Sequence, residues 1–164
     1  MSNPGIARFK RQLAAESWAN DLALRSLSSV PDQFRHSGAY QRAVQLLPHN
    51  QLARGLWLAR LRGESHGTIA DWFPAWTEAQ TRAECARLDA AWGAYLDSLT
   101  DADLPRPCRY ASTEGKAYES VVEDIIIHVF NHSTYHRGQL ARLVTECGGD
   151  RAGTDYIAHS RRVL

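Results

Sequence analysis

Lysine is nearly missing from this 164-residue chain: Lys10 and Lys116 are the exceptions in a basic complement otherwise made of arginine. An excess of either charge is missing too, with 19 Lys and Arg against 18 Asp and Glu and a formal net charge of +1. The arginines are scattered among acids, with no basic stripe and no aromatic–basic alternation, which argues against nucleic acid or an anionic membrane as partner. Hydrophobic runs are short. Even Ile125–Ile127 stops at His128, whereas a bilayer span needs ~20 apolar residues. The basic residues within Ser2–Arg11 are followed by Glu16 and Asp21 rather than an apolar signal region, so no export signal is expected. Cys85, Cys108 and Cys147 are odd in number and far apart, so reduced thiols in a cytoplasmic protein are the expectation. With no repeat, low-complexity tract or linker, residues 1–164 read as one domain able to bury roughly two-thirds of its unfolded surface.

What the chain does contain is helical periodicity. Phe9, Leu13, Ala14, Ser17, Leu24 and Leu27 recur near a 3.6-residue period and predict a first helix over Ile6–Val30, ended by Pro31. A second is expected from about Ser37 to Arg62 with a stop at Gly63, and Pro48 predicts a kink or a fresh helical segment within it. Pro74 to Thr100 supplies a third, begun at Pro74 or capped by Thr77, with Ala79, Ala83, Ala86, Leu88, Ala91, Trp92, Tyr95, Leu96 and Leu99 as its apolar surface. Arg109–Tyr118 spells two short strands about a turn at Glu114-Gly115, with coil as the alternative. The fourth and strongest helix runs from Glu119 to about Cys147, before Gly148-Gly149, and a short one follows over Asp155–Arg162. The expectation is an all-α, antiparallel four-helix bundle with a short hairpin before the fourth helix.

Three of the seven histidines fall within nine residues of that fourth helix. His132 and His136 are four apart and share a face with His128, Val129, Leu140 and Leu143, so the histidine row is expected to look inward. Two imidazoles one turn apart can hold one divalent ion, but a shell needs another ligand. His49 is the candidate, because Leu52, Leu56 and Trp57 follow it at packing intervals on the second helix. The string is not the zinc-protease pattern: Ser133, not glutamate, follows His132. His128 lies about 12 Å along the helix from His136, too far for one ion, and reads as a wall or a polar partner near the mouth. Arg137 and Gln139 read equally as groups supporting the ligands or as packing residues, and Gly138 as a site of close helix approach. Arg54 and Arg142 are read as either ligand contacts or surface residues.

Asn131-His132 with His136-Arg137-Gly138-Gln139 resembles the signature of the DinB-like metal-binding four-helix bundles, a superfamily that includes bacillithiol- and mycothiol-dependent transferases. Trp18-Ala19-Asn20, His49 with Leu56-Trp57, and the hairpin at Tyr110–Gly115 extend the likeness over most of the chain. The resemblance places the metal ligands at His49, His132 and His136 and implies nickel or zinc as the ion. It further implies activation of a low-molecular-weight thiol for attack on an electrophilic small molecule, and a homodimer. Hydrolysis is the second reading and would need a proton acceptor, for which Glu16, Glu123 and Asp124 are raised. A third is a metal-stabilised binding or stress-response protein without turnover. The chain's own cysteines are poor nucleophile candidates by their placement.

Overall fold

The computed structural model describes residues 3–163. Four long helices, α1 (Pro4–Ser28), α2 (Gly38–Arg62), α3 (Glu78–Asp97) and α4 (Val122–Glu146), are followed by a short α5 (Tyr156–Ser160). A two-stranded antiparallel sheet, β1 (Pro107–Ala111) and β2 (Ala117–Val121), precedes α4, with Tyr110 opposite Tyr118. Gly115 takes the left-handed φ of +83° that closes this hairpin, so the strand reading of the segment holds over the coil alternative.

Local chemistry sets the helix ends. The Ser37 side chain accepts from the Tyr40 N–H to start α2, and Gly63 at φ +69° stops it. Thr77 and Gln80 form a capping box that starts α3, so this helix does not begin at Pro74. The start of α1 has no acid of its own; Asp101 supplies one, accepting from the Gly5 and Ile6 N–H groups at 2.9 Å each. Pro48 neither breaks α2 nor opens a new segment. The helix runs on through it, with Leu46 and Leu47 packed to 1% exposure on the turn before. Burial on the flanking turns outweighs the one missing backbone donor.

Ion pairs and contacts give the helix directions. Lys10 meets Asp97 and Asp21 meets Arg82, so α1 and α3 run antiparallel. His49 lies by His136 and Trp57 by His128, so α2 and α4 do the same. Arg54 pairs with Asp89, while Leu61 and Arg62 lie with Tyr95 and Leu99, so α2 and α3 run parallel. Parallel neighbours need a long return, and residues 63–77 provide it. His66 packs by Gly55, Trp72 reaches His49 and Phe73 lies under Arg42, so the return retraces α2.

The interior is banded. One apolar cluster gathers Ile6, Phe9, Leu58, Leu61, Leu88, Trp92, Ile126 and Phe130, and a second gathers Leu24, Leu27, Leu46, Leu47, Leu140 and Val144. Between them, on α1, α2 and α4 alike, buried polar residues stand among small alanines: Glu16, Asn20, Asn50, Gln51, Arg54, Ser133 and Arg137. Of the expected apolar surface of α3, Leu88, Trp92, Tyr95, Leu96 and Leu99 are buried. Ala79, Ala83 and Ala86 are exposed, because at 100° per residue they fall on the opposite side of α3 from the buried Thr81, Leu88 and Trp92.

Candidate metal centre

The polar band is where the histidines meet. Each of His49, His132 and His136 offers a ring nitrogen, and these atoms all lie within 4.8 Å of one another. Ring centres are 5.1 Å apart for His49 and His132, and 4.5 Å for His136 with either of the others. Donors sharing one ion at bonds of about 2.1 Å stand within about 4.2 Å, so small side-chain rotations complete the approach. His49 is buried and the other two are half-buried.

Two of the rings are oriented from behind. His49 Nδ1 is 2.9 Å from the Trp72 carbonyl, an acceptor only, so Nδ1 carries the proton and Nε2 is the free donor. His136 Nδ1 lies 2.9 Å from Gln139 Oε1, one turn on, with the same consequence. Phe73 stacks on His49 at 4.3 Å between ring centres. Burial pushes the pKa of all three rings down, that of His132 to about 4, with neighbouring imidazoles adding to the effect at His49 and His132 and Arg42 at His136. At neutral pH the cluster is therefore uncharged, the form that ligates metals.

Several sequence expectations resolve against this geometry. The histidine row does not occupy the middle of the buried face of α4. Ile126, Val129, Ser133, Arg137, Leu140 and Val144 do, and His128 is exposed. Each histidine stands one residue before a buried one, Val129, Ser133 or Arg137, and that 100° step sets the row at the edge of the face. His128 stays outside the cluster, its ring edge-on to Trp57 at 5.2 Å and 5.8 Å from His132. Gly138 is exposed, and a Cβ there would meet nothing within 4 Å, so among the described residues no helix closes on it.

Gln139 supports a ligand, whereas Arg137 turns inward, its Nη1 donating to Glu16 at 2.6 Å and Asn20 at 3.0 Å. That pairing occupies the Glu16 carboxylate. Glu123 and Asp124 sit in the first turn of α4, at least eight residues or about 12 Å before His132. Arg54 is 1% exposed and held by Asp89 and Gln51, and Arg142 is exposed beside Glu146. Burial drives the Cys85 thiol up to about 12 and raises that of Cys108, so neither is a thiolate at neutral pH. The Trp72 carbonyl and the cleft residue Arg60 were not among the sequence candidates; both depend on where the 63–77 return lies.

A helical bundle in which two antiparallel helices bring three neutral imidazoles together beside an open cleft defines a class of protein able to hold a metal ion. The chain belongs to the DinB family, whose model matches residues 1–162. It is similar to Protein DinB of Bacillus subtilis (strain 168), at 24% identity over 149 residues that cover 85% of this chain and 86% of that one. No helix among the described residues is long and apolar enough to cross a membrane.

Proposed function

We propose that His49, His132 and His136 bind one divalent ion, nickel or zinc, and that the protein uses it to join the thiol of a low-molecular-weight cofactor to an electrophilic small molecule. The observation that carries this reading is the orientation of the rings: Trp72 and Gln139 fix the Nδ1 protons of two of them and leave neutral donors facing a common point. The donor set suits the group, since three neutral imidazoles match the borderline softness of zinc or nickel and leave further coordination positions for a substrate. Bound there, such an ion supplies Lewis acidity, lowering the pKa of a thiol so that it is a nucleophile at neutral pH. The chain's own part is to hold the three rings neutral and aimed, and to keep apolar walls around the approach from the cleft. Hydrolysis is less well supported, because Glu16 is locked to Arg137 and the other two acids lie turns away from the histidines. The reading includes a homodimer in the cytoplasm, with sedimentation equilibrium reading the mass against the 18.4 kDa chain.

The deciding experiment is elemental analysis of untagged protein purified without added metal, beside His132→Ala. About one ion per chain, abolished in the variant, is the expected result, and a screen of small thiols against electrophiles with the loaded protein then reads turnover. Metal below about a tenth of an equivalent even after loading overturns the site. A stoichiometric ion that raises the melting temperature while no thiol transfers would instead favour the non-catalytic, metal-stabilised reading.

A further inference from the structure

A cleft of about 360 Å3 opens beside His132, walled by Leu56 and Trp57 of α2, Trp72 of the return, and Tyr110 and Tyr118 of the hairpin. It continues into a wider hollow of about 720 Å3 between residues 63–69 and 109–113. Arg60 lines both and so marks their junction. Its guanidinium lies 4.6 Å from the Trp57 ring centre and 4.9 Å from that of Tyr110, and one Nη donates to the Ala111 carbonyl at 2.7 Å.

Four other arginines are neutralised by carboxylates. Arg54 has Asp89, Arg109 has Glu119, Arg137 has Glu16 and Arg142 has Glu146. Arg60 is half-buried, and among the described residues no carboxylate pairs with it. Glu64 lines the outer hollow but not the inner cleft. A guanidinium has five N–H donors in a planar fork, and a carboxylate is the ligand group that fits such a fork and offsets its half-buried charge. The surrounding rings offer flat apolar area rather than polar partners.

Building on the thiol-transfer reading of the histidine site, we infer that this cleft takes the electrophilic partner, and that the partner is a flat, aromatic or conjugated compound bearing a carboxylate anchored by Arg60. A small polar thiol would find little to bury against Trp57, Trp72, Tyr110 and Tyr118, which assigns the cleft to the electrophile. Arg60 then determines specificity from the mouth of the site, while the histidines stay free for the thiol.

The test is calorimetric binding of 2-naphthoate and its uncharged analogue 2-naphthamide to the protein as zinc-loaded and after chelation. The wild type is expected to prefer the carboxylate by about tenfold, the size of one charge-assisted hydrogen-bonded contact. Arg60→Gln removes that preference and leaves naphthamide binding unchanged, while Arg60→Lys keeps part of it. Equal affinity of the wild type for the two probes overturns the anchor. A preference that survives Arg60→Gln, or that vanishes on chelation, overturns it as well. Metal content measured on the same samples separates the two claims. Protein that holds an ion without a carboxylate preference loses the anchor alone; protein without an ion that keeps an Arg60-dependent preference loses the metal reading alone.

Discussion

A single amide decides which nitrogen of His136 faces its neighbours. Gln139 Oε1 sits 2.9 Å from His136 Nδ1, one helical turn away, and among the described residues that ring has no other hydrogen-bond partner. Replacing Gln139 with Leu keeps the volume near its original and removes the acceptor, so the ring can rotate or change tautomer. Metal affinity is expected to fall about 10–100-fold, the usual cost of losing such a partner, with the melting temperature of the metal-free protein little changed. Competition with a chromophoric chelator measures this, and an unaltered affinity would mean that Gln139 only packs. The His132–His136 pair and the glutamine three residues on are visible in the sequence because a helix places such residues on one face. The partner of His49 was not legible, since it is the Trp72 backbone carbonyl in an irregular segment, and a carbonyl has no residue signature. Arg137 was open between support and packing for the opposite reason: it sits beside a ligand in the sequence, and only the assembled bundle shows that one step of 100° turns it inward to Glu16.

Each of α1, α2 and α4 carries the same interruption, an apolar stretch broken near its middle by polar residues that are nonetheless buried. The Glu16–Arg137 pair spans α1 and α4 in this band, the two side chains 2% and 5% exposed, and Asn20 satisfies a further guanidinium donor. Removing one member leaves a buried charge unmatched, so Glu16→Gln is expected to cost about 3–5 kcal/mol of stability. The double variant Glu16→Leu with Arg137→Met should be markedly less destabilised than the sum of its single changes, because it removes both charges at once. Urea unfolding of the four proteins gives this coupling; additive losses would show that the charges act independently. The helices themselves were legible from their 3.6-residue pattern, and their ends from Ser37, Gly63 and Thr77. The polar band was not, because a buried Glu and an exposed one look alike until the partner 121 residues away is in place. Pro48 shows the same limit. Its local cost predicts a break, but the packing of Leu46 and Leu47 belongs to the assembled bundle and keeps α2 continuous.

Fold direction and site are two consequences of one connection. Because α2 and α3 run parallel, the chain must return along α2 between them, and that return carries Trp72 and Phe73 over His49 and closes one wall of the cleft. The periodicity that reveals four helices says nothing of their directions, so this wall was beyond reach from the sequence. Covering the rings in this way removes them from water, and the electrostatic result extends to the stability of the protein. His49, His132 and His136 all have their pKa lowered from the ordinary 6.5, burial being the leading cause in each, and His132 falls to about 4. The unfolded chain, with these groups at about 6.5, then binds more protons than the folded one throughout the interval from about 6.5 down to about 4. Stability therefore rises with pH across that window: it is whole above about pH 6.5 and is lost as the pH falls toward 4. Carboxylates held low, such as Asp21 and Asp103, add their losses only below about 4. The melting temperature of chelator-treated protein should accordingly decline steadily between pH 6.5 and 4.5, and His132→Ala should make that decline shallower by removing the most shifted group. With an ion bound the decline should steepen, since protons then compete with the metal for the same nitrogens. A melting temperature that stays level from pH 7 to 4.5 in the metal-free protein would mean that the rings are hydrated in solution, and the ready-made neutral cluster would lose its physical basis.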